Sequence, residues 1–201
     1  MRTDFELLDS WRAGDNEAGN ALFKRHFDSL VRFFYTKVNE PDVEDLIQRT
    51  LLGCVESSDR FRGDSSFRTY LFAVARNQLR MFWRGQQRSF IDLETQSAVD
   101  MGTSPSRVVA RGEDHTLMLA ALRRLSVDAQ IALELHYWQG LDAAELAQVF
   151  DISPTTARTR MHRARVKLKA ILQTLTDDAT VQEQVLGGLE TWARDIHRKL
   201  E

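Results

Sequence analysis

The sequence predicts an all-α protein: two small helical domains joined by a flexible linker and followed by a C-terminal amphipathic helical extension. Three observations carry this. Only three prolines, Pro41, Pro105 and Pro154, interrupt the 201 residues. Apolar residues recur at three and four spacing with little strict alternation, which is the period of a helix and not of a strand. Between Gln87 and His115 that period disappears into a polar stretch with Gly, Ser and Pro, the composition of a tether.

The elements follow in chain order. "NALFKRHFDSLVRFFYTKV" puts Leu22, Phe23, Phe27, Leu30, Val31 and Phe34 on one helical face, and Pro41 opens a second helix, "DVEDLIQRTLLGCVESS", after a turn short enough to make the pair antiparallel. "DRFRGDSS" is a loop by its Gly, Asp and Ser content, and "FRTYLFAVARNQLRMFWRG" is a helix ending at Gly85. Residues 3–87 form the first domain, 88–115 the linker and 116–172 the second domain, whose helices break at Ser126, Gly140 and Asp151 to Ser153. In the extension, 173–201, Val181, Val185, Leu189, Trp192, Ile196 and Leu200 recur at helical spacing around Gly187 and Gly188. That apolar face needs a cover. It is either a structural cap on the second domain or a regulatory helix that packs on a domain or a partner.

Composition excludes several functions. One cysteine, Cys54, permits neither an internal disulfide nor a cysteine zinc site, which fits a reducing cytoplasm. The N-terminus has no charged region followed by an apolar one, and no run of about 18 apolar residues exists, so neither export nor a membrane span is expected. The histidines, His26, His115, His136, His162 and His197, are scattered, and neither HExxH nor a Gly-rich phosphate loop occurs. No catalytic residue, metal or cofactor is expected, and the chain does not read as an enzyme. A net charge of -2 also argues against a protein that coats nucleic acid indiscriminately.

Against that near-neutrality stands "SPTTARTRMHRARVKLKAIL". Ser153 is placed to cap this helix and Pro154 to fill its first turn. Ala157, Met161, Ala164, Leu168 and Ile171 make an apolar stripe at +4, +3, +4 and +3. Arg158, Arg165 and Lys169 flank it on one side, Arg160, Arg163 and Lys167 on the other, and Thr155, Thr159 and His162 lie opposite. The helix before, "DAAELAQVF", buries Leu146, Ala147 and Phe150 and is joined by "DIS", the spacing of a helix-turn-helix. In that motif the N-terminal part of the second helix reads base edges in the major groove while flanking cations hold phosphates. Arg158, Thr159, His162 and Arg163 are thus candidate base or groove contacts, with Thr155, Thr156 and Arg160 beside them, and Arg165, Lys167 and Lys169 are candidate phosphate contacts. A solvated charged face is the alternative; the cap, the turn length and the lack of compensating acids weigh for DNA.

The whole then resembles a bacterial extracytoplasmic-function sigma factor, the small group of the sigma-70 family with regions 2 and 4 only. "LLDSWRAGDNEAGNALFKRHFDSLVRFF" is similar to the family's opening, "DVEDLIQRTLLGCV" to its region 2.2, "FRGDSSFRTYLFAVARNQLRMFWR" to regions 2.3 and 2.4, and "LDAAELAQVFDISPTTARTRMHRARVKL" to region 4.2. The resemblance implies a protein that binds the RNA polymerase core at the beta-prime clamp helices and the beta flap, recognises promoter DNA at −10 and −35, and is held by an anti-sigma factor or another regulator. It implies that Asp42, Glu44, Asp45, Leu46, Gln48 and Arg49 form the core surface. Acids at a helix start are also favourable against the helix dipole alone. Arg49 stands where the family usually has an acid, and a phosphate on the neighbouring Thr50 would restore negative charge.

For the −10 element the resemblance implies a base-capture pocket at Phe61, Arg62, Asp64, Ser65, Ser66, Phe67 and Tyr70, with Arg76, Asn77, Arg80, Arg84 and Arg88 holding the displaced strand. An extruded base needs an aromatic or polar pocket and a single strand needs cations. The competing reading is that Phe67, Tyr70, Phe72 and Phe82 are core, which is preferred for Phe72 and Phe82. The linker would thread the polymerase channel, with Asp92, Glu94 and Asp100 imitating nucleic-acid charge, although a solvated linker accounts for them equally well. Two other functions fit parts of the pattern: a dimeric helix-turn-helix transcription regulator, and a sigma-like protein that binds polymerase or an anti-sigma factor without opening promoters.

Overall fold

The computed structural model describes residues 2–57, 65–86, 92–100, 102 and 113–188. Among them lie nine helices, with Ser97 and Ser126 forming a single isolated bridge. The order is α1 (Asp4–Arg12), α2 (Asn16–Tyr35), α3 (Glu40–Glu56), α4 (Phe67–Gln86), α5 (Glu113–Arg123), α6 (Val127–Gln139), α7 (Ala143–Phe150), α8 (Pro154–Leu175) and α9 (Ala179–Gly187).

Local chemistry sets most boundaries. Thr3 and Glu6 close a capping box on α1, and Asp15 caps α2 by accepting from the N–H groups of Glu17 and Ala18. Gly14, at φ 100°, makes the turn between them. Asp4 ties α1 to α2 by accepting from Arg25 at 2.5 Å and pairing with His26 Nε2 at 2.7 Å. Trp11 lies so close over Gly19 that a Cβ there would sit 2.6 Å from its ring.

The first-domain core gathers Leu22, Leu30, Phe34, Leu46, Leu71, Phe72, Leu79 and Trp83. Phe27, predicted for that face, is instead exposed while Phe33 is buried; on α2 the buried stripe runs through His26, Leu30, Phe33 and Phe34, and Phe27 falls just outside it. Phe72 is fully buried as read, and Phe82 is partly buried against the core.

Helix breaks in the second half fall at the predicted residues: Ser126 before α6, Gly140 at φ 67° after it, and Asp151 at φ 55° after α7. Leu146, Ala147 and Phe150 are buried on α7, and Ala157, Ala164, Leu168 and Leu172 on α8, with Met161 and Ile171 partly covered. In the extension, Val185 of α9 is buried in a cluster with α5 and α8, flanked by Val181 and Leu186, so the first part of the tail covers the second domain. Leu189, Trp192, Ile196 and Leu200 lie outside the described residues.

Two features depart from two beads on a flexible string. Residues 92–100, within the span read as linker, lie along the start of α6. Leu93 and Ala98 are buried, and backbone N–H groups donate from Val127 to Gln96 O, from Asp128 to Leu93 O and from Val99 to Arg123 O at 2.9–3.3 Å. Hydrogen bonds that the polar composition would give to water go to α5 and α6 instead. The two halves also share one core: Phe34, Phe72 and Trp83 belong to the same apolar cluster as Ile131, Leu146 and Phe150.

Candidate nucleic-acid interface

Helix α8 is aimed by its own start. Asp151 adopts the left-handed conformation that reverses the chain. Ser153 Oγ then accepts from Thr156 N–H at 3.1 Å, and Pro154 occupies the first turn, where no N–H is required. The apolar stripe turns inward, leaving Thr155, Thr156, Arg158, Thr159, His162, Arg163, Arg165, Lys167 and Lys169 exposed. Arg160 is the exception and corrects the reading that placed it with the DNA contacts. Its guanidinium donates to Asp128 at 3.3 Å and to Glu94, and lies 4.7 Å from the Phe150 ring centre. The helix repeat carries it toward α6, α7 and segment 92–100, where Asp128 and Glu94 take its charge.

Of the residues assigned to −10 capture, Phe61, Arg62, Asp64 and Arg88 lie outside the described residues. Ser65 is partly buried and Ser66 exposed at the start of α4. Phe67 is a correction: it is buried among Phe23, His26 and Tyr70, so its ring is filled by core contacts before any base arrives. Tyr70 is half-buried, its hydroxyl 2.6 Å from Ser57 Oγ and donating to Cys54 O at 3.3 Å, and burial raises its pKa. Asn77 is exposed beside Arg80, which donates to it at 2.7 Å, and Arg84 is exposed one turn on. Arg76 does not join that row, because Asp128 binds it bidentately at 2.7 and 2.8 Å.

On α3, Glu44, Asp45, Gln48 and Arg49 are exposed and Asp42 is half-buried, while Leu46 is fully buried and offers no side chain to a partner, another correction. Arg49 folds back on Asp45 with two contacts of 2.9 Å. Its positive charge thereby neutralises an acid of the same surface. Thr50 is buried and donates its hydroxyl to Leu46 O at 2.7 Å, which closes it to modification in this fold.

The sequence reading missed the polar residues between the halves. Lys37, fully buried at the end of α2, donates to Phe33 O at 2.7 Å, to Thr36 Oγ1 at 2.9 Å and to Glu134 of α6. Burial pushes its pKa down, against the opposing pull of Glu134. Gln130 donates to Glu134 at 2.8 Å, and Arg123 and Gln130 both donate to Thr36 O. The available signal was α6 itself, whose stretch Val127–Leu135 is apolar except for Asp128, Gln130 and Glu134, a pattern that implies cover on both sides. Among the described residues no cluster of His, Cys, Asp and Glu fits a metal ion, and no helix is long and apolar enough to cross a membrane. Asp92, Glu94 and Asp100 serve the fold: Asp92 accepts from Glu94 N–H, Asp100 from Ser97, and Glu94 meets Arg160.

This geometry is matched by known families. Residues 22–89 match the description Sigma-70 region 2 and residues 115–168 match Sigma-70, region 4. The curated ECF RNA polymerase sigma-E factor of Haemophilus influenzae is 26% identical over 183 residues, covering 86% of this chain and 97% of that protein. The Escherichia coli K12 protein of the same name is 27% identical, covering 86% and 96%. Among solved structures, CnrH in complex with the cytosolic domain of CnrY aligns at TM-score 0.64 with 23% identity over 85% of this chain and 97% of that one. The sigma factor RpoE in complex with the anti-sigma factor NepR from Bartonella quintana aligns at 0.59 with 24% identity over 77% and 96%. Regions 2 and 4 together, in this order and separated by residues 90–114, make the chain a member of the sigma-70 family, in its extracytoplasmic-function group.

Proposed function

We propose that this sigma factor binds the RNA polymerase core in the cytoplasm, directs it to promoters through −10 and −35 contacts, and nucleates melting without chemistry of its own. The observation that carries the reading is the outward face of α8, a capped helix after a tight turn with Arg158, Thr159, His162 and Arg163 exposed together. That is the arrangement by which a recognition helix enters the major groove. Arg165, Lys167 and Lys169 hold the backbone phosphates. Asn77, Arg80 and Arg84 track the displaced strand, Ser65, Ser66 and Tyr70 border the base pocket, and Glu44, Asp45, Gln48 and Arg49 face the polymerase. An anti-sigma factor is the expected regulator, since the similar solved structures include the sigma factor RpoE bound to the anti-sigma factor NepR. A dimeric helix-turn-helix regulator is not favoured, because it has no use for a domain matching Sigma-70 region 2. Run-off transcription with purified bacterial core polymerase on a genomic promoter library tests the reading. New starts that share a two-part upstream motif support it; core binding without new starts overturns it in favour of an inhibitory, sigma-like role.

A further inference from the structure

Helix α8 presents more than its first turns. Beyond Thr155, Arg158 and Thr159, its middle exposes His162, Arg165, Val166 and Lys169 at the three and four spacing of one helical face. Tyr137 at the end of α6 and Leu186 at the end of α9 flank that face, and the three helices enclose a groove of about 420 Å³ floored by the fully buried Leu168. The Arg165 guanidinium lies 5.9 Å from the Tyr137 ring centre, so one cation is laid across the apolar floor. Val166, at 57% exposed, leaves apolar area that a partner would remove from water. Among the described residues no carboxylate lines the groove, so Arg165 and Lys169 face it without a compensating acid.

Duplex DNA uses only half of this chemistry. A phosphate backbone takes the cations but has no use for Val166, Leu186 or the Tyr137 ring, and base reading belongs to the first turns of a recognition helix. An amphipathic helix with acidic flanks uses all of it. Its apolar side chains at i, i+3 and i+7 fill a trough between helices, and the acids beside them meet Arg165 and Lys169. His162 and Lys169 stand seven residues apart, roughly 10 Å at about 1.5 Å per residue, which is the length of about two turns of a docked helix.

We propose that this groove, between α8 and the ends of α6 and α9, docks an acidic amphipathic helix of another protein. The occupant claims Arg165 and Lys169, which otherwise hold phosphates, so it and duplex DNA compete for those two residues, while Val166 answers to the occupant alone. Competition rests on the phosphate assignment; docking does not. Charge selects the partner, and Val166 with Leu186 covers its apolar edge.

The test uses the full chain and a fluorescein-labelled synthetic peptide of about 18 residues, long enough to be helical, with Leu at three and four spacing, Glu on both flanks and no Lys or Arg. A scrambled isomer keeps the charge and loses the apolar stripe. Fluorescence anisotropy should show saturable binding of the peptide and at least about fivefold weaker binding of the isomer. Val166→Ser should weaken the peptide at least about threefold and Lys169→Glu about tenfold, at unchanged helical circular dichroism, while a labelled DNA duplex binds Val166→Ser as tightly as wild type. No saturable binding up to about 1 mM peptide, equal binding of the isomer, or indifference to Val166→Ser overturns the proposal. So do two other occupants: a lower Tm of Val166→Ser without any peptide binding assigns the groove to residues 189–201, and a dimer in sedimentation that Val166→Ser abolishes assigns it to a second copy of the chain. No readout needs polymerase or a promoter, so a negative run-off experiment leaves this result standing on its own.

Discussion

Glu134→Gln removes the only anion that, among the described residues, stands beside a fully buried ammonium. The groups facing Lys37 are Glu134 of α6, the Phe33 carbonyl, the Thr36 hydroxyl and the Phe33 ring, with the Arg123 guanidinium nearby as a second cation. Without Glu134, the cheapest way to keep the halves closed is to release the proton of Lys37. From its ordinary value of 10.5, that release costs about 5 kcal/mol at pH 7 and about 2 kcal/mol at pH 9, because each pH unit is worth about 1.4 kcal/mol. The sign follows from proton counting: below about 10.5 the open form carries a proton that the closed variant lacks, so closure strengthens as pH rises, approaching tenfold per unit. The Cys54 thiol, raised by burial to about 12, is silent in this window. Energy transfer between donor and acceptor dyes on Glu17→Cys and Gln173→Cys, both exposed positions, followed from about pH 7 to about pH 9.5, should show the variant opening at the acid end and closing again toward the alkaline end, with wild type changing less. A variant as closed as wild type at pH 7, or one with the wild-type pH slope, would refute the reasoning.

On a −35 duplex, Arg163→Ala should cost about 1–3 kcal/mol against cognate sequence if Arg163 pairs with guanine, whereas Lys169→Ala should weaken all sequences evenly and lower the salt slope by about one; fluorescence anisotropy on cognate and scrambled duplexes separates the two. Cys54 should resist alkylation at pH 8 at a rate set by unfolding. Because its folded pKa lies above the ordinary 9.0 at about 12, the folded state holds the proton longer, so stability contributed by this group is lost as pH rises above about 9; equal alkylation of native and denatured protein would contradict the burial. Deleting the chain after Thr174 strips Val181, Val185 and Leu186 from their cluster and should cost about 2–3 kcal/mol, roughly 4–12 °C in Tm; an unchanged Tm would remove the covering role of α9.

What could be read from the sequence was local. Ser126, Gly140, Asp151, Ser153 and Pro154 act on the residues next to them, so the region 4 helices and the outward face of α8 were legible without a structure. Arg160 and Arg76 were not. Each looks like one more cation in a basic helix, and their fate depends on Asp128, which is 52 residues from Arg76 in the chain. Leu46 and Phe67 were assigned to surfaces because the resemblance places functional motifs there, yet helical period turns both inward. Polar composition made 92–100 look solvated, and only the N–H groups at the start of α6 and the Arg123 carbonyl at the end of α5 explain why that segment lies down.

The pairing of Lys37 with Glu134 spans 97 residues, and that interval is also a delay on the ribosome. At about 5–20 residues per second, region 2 waits roughly 5–20 s for its counterpart to be made. During the wait, its side of the join presents a lysine, arginines and hydroxyls that water satisfies beside the apolar side chains that later meet α6 and α7. A nascent region 2 thus spends its first seconds with α3 already built and its share of the common core not yet covered by α6 and α7.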